Sequence, residues 1–202
     1  MSTSFVSRGA GLAAVLVIST GMGGCAGLLV GAGATAGVGV AQERSVGQAI
    51  DDTTIAARIG ASMADHDLRL YRDVNLEVVE GRVLLTGKVE KNEARLKAEE
   101  LTWQVTGVRE VANAIQVTSE GGVGSYLRDV RISNQLRASM LGDGDIYSIN
   151  YSIETVGGVV YLTGIAQSSD ELDRVIRHAR AIEGVSKVES YVRLKDDPSR
   201  GS

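Results

Sequence analysis

The chain contains one segment twice, and this internal repeat limits what it can fold into more than any other feature. Residues 51–117 align without a gap on residues 128–194, a shift of 77 positions, and 15 of the 67 residue pairs are identical. A repeat of this length predicts two small domains, each with a hydrophobic core of its own. Residues that the copies share mostly serve the shared fold, so function is to be sought where the copies differ.

The hydrophobic pattern predicts the same order of elements in both copies: helix, strand, strand, helix and strand. The first helix carries apolar residues four apart on one face, namely Ile55, Ile59 and Met63 in the first copy and Ile132, Leu136 and Met140 in the second. Glu80-Gly81 and Gly157-Gly158 suit two-residue hairpin turns, since glycine adopts the positive φ that such turns need. A helix then connects the second strand to the third, which makes that pair parallel if the two are adjacent. We therefore predict an α+β protein of two tandem αββαβ domains, each a small three-stranded mixed sheet with two helices packed on one face.

Residues 1–24 have the layout of a secretory signal peptide. Arg8 is the only charged residue before Glu43, and it precedes an apolar run over residues 12–18 that is too short to span a bilayer as a helix. The small residues that follow lead to Cys25, the only cysteine of the chain, so no internal disulfide can form. We predict that residues 1–24 are removed on export.

The four residues Met22-Gly23-Gly24-Cys25 resemble a bacterial lipobox, with Met22 where Leu is usual. The resemblance implies that the Cys25 thiol receives a diacylglycerol and that its freed amine receives a third acyl chain. Several acyl chains would hold the protein durably on a membrane. By the sorting pattern of such lipoproteins, Ala26 implies the periplasmic face of the outer membrane. Ordinary secretion with a free terminal cysteine is the alternative.

The rest of the chain divides at shifts in composition. The predicted segments are the lipidated Cys25 with a Gly/Ala-rich tether over 25–50, a first domain over 51–118, a linker over 119–125, a second domain over 126–195 and a polar tail over 196–202. Removing the signal peptide takes away Arg8, so the formal net charge changes from −4 to −5. That balance argues against nucleic acid as a partner.

Two motifs in each copy resemble the BON-domain family. In the first copy they are the hairpin strand Gly81-Arg82-Val83-Leu84-Leu85-Thr86-Gly87 and the ending Gly107-Val108…Val111-Ala112-Asn113-Ala114-Ile115. Arg44-Ser45-Val46-Gly47 also resembles the lead-in of outer-membrane lipoproteins with two BON domains, so the resemblance covers residues 44–194 and the lipobox. It implies a non-enzymatic periplasmic protein that associates with phospholipid membranes and supports envelope integrity, with no cofactor and no small-molecule substrate.

The sequence contains none of the residue patterns that carry common enzyme chemistry. It shows no Ser/His/Asp arrangement, no cysteine nucleophile and no HExxH motif. His66 follows the first helix, where a solvated loop is favoured over a metal ligand, and His178 takes the helix position of Leu101, which favours a partly buried structural role. We therefore predict no catalytic and no metal-binding residues, and an enzyme is the less favoured class.

The first helix of the second copy carries an apolar stripe on the side opposite its predicted core face. Arginines flank this stripe, and the first copy lacks them. An exposed apolar stripe with arginines beside it suits an anionic membrane surface. The predicted membrane-binding residues are Tyr126, Leu127, Arg128, Val130, Arg131, Arg137 and Leu141. The alternative is an ordinary solvated helix or a domain interface.

The second helices of the copies differ as well. Leu96 and Trp103 lie a heptad apart on the first copy's helix, off its core face, and predict a domain interface, with ordinary core packing as the alternative. A row of arginines on the second copy's helix follows Asp170 and Asp173 at a spacing of four, so helix salt bridges explain it. This row is Arg174, Arg177 and Arg180.

Two functions from different classes agree with these features. The first is a lipid-anchored protein that binds anionic phospholipid through its second domain and supports envelope integrity. The second is a structural adaptor that binds a protein or peptidoglycan partner of the envelope machinery.

Overall fold

A computed structural model describes residues 45–118 and 123–200. The signal peptide, Cys25 and the tether up to residue 44 lie outside the described residues, as do 119–122 of the predicted linker and the last two residues of the tail. The described part holds two copies of one α+β unit, which confirms the predicted fold class.

The two domains have the same order of elements, apart from one helix and one broken strand. The first domain consists of α1 (Val46–His66), α2 (Leu68–Asp73), β1 (Val74–Val79), β2 (Arg82–Val89), α3 (Asn92–Trp103), β3 (Glu110–Asn113) and β4 (Gln116–Val117). The second consists of α4 (Val123–Leu141), a short 3₁₀ turn (Ser148–Asn150), β5 (Tyr151–Val156), β6 (Val159–Ala166), α5 (Ser169–Arg180) and β7 (Lys187–Leu194).

The strand pairing in both sheets follows the prediction. β1 and β2 form an antiparallel hairpin, as do β5 and β6, and the strand after each crossover helix lies parallel to the second strand of the hairpin. Glu80 and Gly81 at the first turn have φ values of 54° and 73°, and both signs match the two-residue turn that favours glycine. Glu80 therefore adopts a positive φ that residues other than glycine rarely adopt.

Two features of the first domain depart from the predicted pattern. Its third strand is broken into β3 and β4, both parallel to β2, and at the break the Asn113 side chain donates to the Arg95 carbonyl and to Glu99 of α3 at 3.1 and 2.9 Å. The additional helix α2 begins at an N-cap, where the Asp67 side chain accepts from the Arg69 N–H at 2.8 Å.

The first helix of each domain begins earlier than its predicted boundary. α1 begins at Val46, inside the predicted tether, because Ser45 and Gln48 form a capping box. The Ser45 hydroxyl accepts from the Gln48 N–H at 3.1 Å, and the Gln48 side chain accepts from the Ser45 N–H at 3.0 Å. α4 begins at Val123, inside the predicted linker.

Each domain has a separate hydrophobic core between its helices and one face of its sheet. Ile59, Met63 and Leu85 are fully enclosed in the first core. Their equivalents by the repeat, Leu136, Met140 and Leu162, occupy the second core. The predicted position of two helices on one sheet face is confirmed in both copies.

The opposite faces of the two sheets pack against each other. Leu84 of β2 is buried against Val156 and Tyr161 of the second domain, and Leu84 and Tyr161 are equivalent in the repeat. The molecule is therefore layered as helices, sheet, sheet and helices. Leu96 and Trp103 lie outside this interface and remain 54% and 50% exposed. The expectation that they form the domain interface is corrected accordingly: the interface is formed by the sheet residues Leu84, Val156 and Tyr161.

Two hydrogen bonds show that this interface has approximate twofold symmetry. The Asn75 amide donates to Glu154 at 2.9 Å, and the Ser152 hydroxyl donates to Glu77 at 2.6 Å. Positions 75 and 152 are equivalent in the repeat, as are 77 and 154. Each domain thus offers the same pair of positions to the other, as the subunits of a twofold dimer do.

The C-terminal tail folds back onto the first domain. The Arg200 guanidinium contacts the Glu80 carboxylate at 3.0 Å, and both side chains are largely buried. Arg193 of β7 also contacts Glu110 of the first domain at 2.9 Å. The predicted polar tail is therefore, up to residue 200, part of the contact between the domains.

Candidate functional site

The predicted apolar stripe of α4 lies on the surface. Tyr126, Leu127, Val130 and Leu141 are 68%, 60%, 38% and 75% exposed. On the opposite side of the helix, Ile132, Leu136 and Met140 are buried in the core. The residues are about 100° apart around the helix axis, so Leu127 and Leu141 point away from the sheet.

Two of the three predicted arginines accompany this stripe. Arg128 and Arg131 are exposed, and no hydrogen bond or ion pair joins them to any residue in the described ranges. Arg137 is held differently, since its guanidinium donates to the Ile153 carbonyl at 2.9 Å. It also donates to the Asn134 side chain at 3.4 Å. Arg137 therefore faces the groove between the domains.

The first domain lacks this surface at the equivalent positions. Asp51 and Thr54 stand in place of Arg128 and Arg131. The residues equivalent to the stripe are Ala49, Ile50, Thr53 and Ala64. Among these only Ile50 is a large apolar residue on the surface. At these positions the combination of exposed apolar and cationic side chains is found in the second domain and not in the first, which instead exposes Leu68 and Tyr71 beside Arg69 on α2.

A groove of about 540 Å³ runs between the domains beside α4. Tyr126, Val130 and Arg137 line it on one side, and Lys88 lines it from the first domain. Burial raises the pKa of Glu154 at the inner end, although the Arg137 charge opposes the rise. Carboxylates offset the cations here, so the groove concentrates less positive charge than the outer face of α4.

Sequence reasoning missed one pair of residues that positions α1 and α4. The Asp129 carboxylate accepts from the Gly157 and Gly158 N–H groups at 2.8 and 2.9 Å. Asp52 accepts in the same way at the first hairpin turn, at 2.9 Å from each N–H. Both aspartates are buried. Asp52 and Asp129 are one of the identical pairs of the repeat, and this identity was the sequence signal that could have marked them as structurally required.

The histidines have structural positions. His178 lies on α5 and contacts the Asp143 carboxylate at 2.8 Å. This hydrogen bond is the main reason that the pKa of Asp143 is lowered. His66 is the last residue of α1. Within residues 45–118 and 123–200, no group of three His, Cys, Asp or Glu side chains is placed to hold a metal ion.

No helix within the described ranges is long and apolar enough to cross a membrane. The family model described as the BON domain matches residues 51–119 and residues 128–196, one match for each copy of the repeat. The chain belongs to the BON-domain family. The two matched BON domains coincide with the two structural domains, and the second match contains Arg128, Arg131 and Leu141.

Three relatives of this BON-domain protein are similar over most of its length. A protein of the gshII 5' region of Anaplasma centrale is 45% identical over 152 residues, which is 75% of this chain and 99% of the relative. Osmotically-inducible protein Y of Escherichia coli K12 is 31% identical over 152 residues, 74% of this chain and 76% of the relative. Outer membrane lipoprotein DolP of Haemophilus influenzae is 29% identical over 178 residues, 88% of this chain and 92% of the relative. This last match spans 178 residues of the 202, and only residues 197–202 follow the second BON match. It therefore begins well before residue 51, where the first BON match starts.

Proposed function

We propose that this BON-domain protein is a non-enzymatic lipoprotein, anchored through Cys25 to the periplasmic face of the outer membrane. Its second domain binds the surface of anionic phospholipid membranes through α4 and so supports envelope integrity. The observation that carries the proposal is the outer face of α4, where Leu127 and Leu141 are exposed and where Arg128 and Arg131 have no partner among the described residues. Similarity to an outer membrane lipoprotein supports the location.

The chemistry of this face suits a headgroup layer. Leu127 and Tyr126 provide apolar surface that loses contact with water when it enters the boundary between headgroups and acyl chains. Each arginine near an anionic membrane contributes about 1 kcal/mol, and this attraction falls off within a Debye length of about 8 Å at physiological ionic strength. Arg128 and Arg131 leave solvent without breaking an ion pair, because they have no partner among the described residues.

With a lipid anchor, even a weak contact between α4 and the membrane is sufficient to orient the protein. A segment as long as residues 26–44 spans at most roughly 65 Å, so an acylated Cys25 keeps both domains close to the membrane. Tethering of this kind gives effective concentrations on the order of millimolar for the second contact. Binding by α4 then orients the protein on the membrane, while the acyl chains supply most of the residence time.

An adaptor function has one specific observation in its favour. Leu96 and Trp103 are exposed on α3, away from the contact between the domains. A protein or peptidoglycan partner that covers them would account for their exposure. This function is compatible with the anchor but assigns no role to Arg128 and Arg131.

The proposal is tested by co-sedimentation with vesicles, using the chain from residue 26 onward, which retains every described residue. The variants are Leu127→Glu and the double substitution Arg128→Ser/Arg131→Ser. The matched control is Ile50→Glu, since Ile50 is equivalent to Leu127 in the repeat and equally exposed. We expect the protein to bind anionic vesicles more strongly than neutral ones.

Leu127→Glu should abolish most of the binding, and loss of the two arginines should weaken it about thirtyfold at low salt. Ile50→Glu should bind as the parent chain does. Equal losses in the control and in Leu127→Glu, or full binding by both α4 variants, would overturn the proposal and favour the adaptor.

A further inference from the structure

The arginine row of α5 is not held in the way that its sequence spacing suggests. Arg174 contacts Asp145 at 3.0 Å and Asp143 at 3.6 Å, both beyond the end of α4, instead of pairing along its own helix. Arg177 and Arg180 have no ion pair or hydrogen bond with any described residue, although Asp173 precedes Arg177 by one helical turn. Two further cations of the second domain therefore have no partner within residues 45–118 and 123–200.

These two cations lie on α5, which packs with α4 against the same core. α4 and α5 run in opposite directions over one face of the sheet. Near the start of α4, the Arg128 side chain lies 3.7 Å from the point where a Cβ on Gly184 would be, just beyond the end of α5. Beyond the end of α4, Asp143 contacts His178 at 2.8 Å. The end of α5 that carries Arg177 and Arg180 therefore leads to the start of α4, with exposed Glu183 and the Asp143–His178 contact in the same layer.

The repeat shows that this charge is particular to the second domain. The four positions Arg128, Arg131, Arg177 and Arg180 are equivalent to Asp51, Thr54, Glu100 and Trp103. The same backbone thus carries four positive charges in one copy and two negative charges in the other. The shared fold requires neither set, because all eight side chains lie outside the two cores.

We infer that the anionic phospholipid contact extends from α4 onto α5, with Arg177 and Arg180 as further ligands of headgroup phosphates. This inference rests on the proposed function of α4. The second domain then lies with its whole helix layer on the membrane, and a contact through α4 alone would leave the two α5 arginines in water. Four cations on one helix layer match a surface of closely spaced phosphates, since they can meet several headgroups at once.

The first test is the double substitution Arg177→Ser/Arg180→Ser in the chain from residue 26 onward. The matched control is Arg58→Ser/Arg69→Ser, which removes the same charge from exposed positions of the first domain. The α5 variant should bind anionic vesicles about thirtyfold more weakly at low salt and should show a smaller dependence of binding on salt concentration. The control should bind as the parent chain does.

The outcomes separate this inference from the function on which it rests. If the α5 variant binds normally while Leu127→Glu and Arg128→Ser/Arg131→Ser lose binding, the extension onto α5 is overturned and the α4 contact stands. If every second-domain variant binds normally, both fail. If the control loses as much as the α5 variant, only net charge matters and the inference is overturned. Far-ultraviolet circular dichroism checks that each variant is folded.

The second test reads the orientation directly. An environment-sensitive fluorophore is attached through Ala181→Cys at the exposed end of α5, in the chain from residue 26 onward, which has no other cysteine. The matched site is Gln104→Cys, which is equivalent in the repeat and also exposed. Emission at position 181 should shift to shorter wavelength on anionic vesicles, whereas emission at position 104 should stay unchanged. Equal responses at the two sites would overturn the inference.

Discussion

At the scale of single residues, Asp129 links the first helix of its domain to the hairpin that the helix crosses. Its carboxylate satisfies two backbone N–H groups at the turn, at 2.8 and 2.9 Å, and it is buried. A hydrogen bond to a charged group contributes about 1.5–3 kcal/mol, and an N–H left unpaired inside a protein is costly. The aspartate thus fixes the angle of α4, and with it the direction in which the exposed stripe points.

We predict that Asp129→Ala lowers the free energy of unfolding of the second domain by about 3 kcal/mol, because two N–H groups lose their acceptor. Asp129→Asn should cost less, since an amide oxygen still accepts one of them. Urea unfolding, followed by Trp103 fluorescence for the first domain and by circular dichroism for the whole, measures both changes. An Asp129→Ala variant as stable as the parent chain would contradict this role.

The sequence could predict Asp129 but not the contacts of Arg137. The identity of Asp52 and Asp129 across the repeat marks a residue that the shared fold requires, whatever its partner. Arg137 has no such signal, because a helical wheel places it on the flank of α4 without showing what lies beside that flank. Its contact with the Ile153 carbonyl depends on how the helix crosses the sheet.

At the scale of elements, the order and pairing of the strands followed from local patterns, while the breaks did not. Alternating apolar residues and glycine turns predicted both hairpins, and the helix between the second and third strands predicted their parallel pairing. At the division of the first domain's third strand into β3 and β4, the Asn113 side chain donates to the Arg95 carbonyl and to Glu99 of α3. A period-2 pattern continues through that point, so no periodicity could reveal it.

The glycine that the two copies share on the second strand of each hairpin is required by a close backbone approach. Gly164 has a φ of 128°, and a Cβ at this position would collide with the Asn150 carbonyl. We predict that Gly164→Ala lowers the free energy of unfolding by about 3 kcal/mol or more. Gly144→Ala is the control, because nothing lies within 4 Å of its Cβ position. Thermal unfolding of both variants measures the difference, and equal melting temperatures would count against the collision.

At the scale of the whole molecule, the contact between the sheets contains a carboxylate with an altered pKa. Burial raises the pKa of Glu154 above its ordinary value of 4.5, with Arg137 opposing the rise and Glu77 adding to it. The unfolded chain therefore gives up this proton at a lower pH than the folded chain does. Stability contributed by Glu154 is present at low pH and declines as the pH rises from about 4.5 through the raised value.

We predict that Glu154→Gln raises the melting temperature at pH 7, because the neutral amide removes a buried charge and still accepts from Asn75. The gain should shrink as the pH falls below 4.5, where Glu154 is itself neutral. Melting temperatures between pH 4 and pH 8 measure this, with Glu93→Gln on the exposed start of α3 as the control. A constant difference across this range would show that the charge of Glu154 is not responsible.

The arrangement of the domains could not be read from the sequence, although its symmetry is implicit in the repeat. Leu84 and Tyr161 occupy one equivalent position but differ in chemistry, so neither marks a shared contact by identity. Leu96 and Trp103 were the predicted interface residues because they are large and apolar. The sheet faces instead bury Leu84, Val156 and Tyr161, which no sequence pattern had singled out.

The reciprocal hydrogen bonds of Asn75 and Ser152 have the form that duplication and fusion of a self-associating single domain would leave, because its dimer contact would become internal. Fusion makes the contact independent of protein concentration and releases the two copies from having to stay identical. Because the sheets meet back to back, the helix layers face opposite directions, and each could acquire its own specialisation. If the second domain lies on the bilayer, the helix layer that carries Leu96 and Trp103 faces the periplasm and is accessible to a partner.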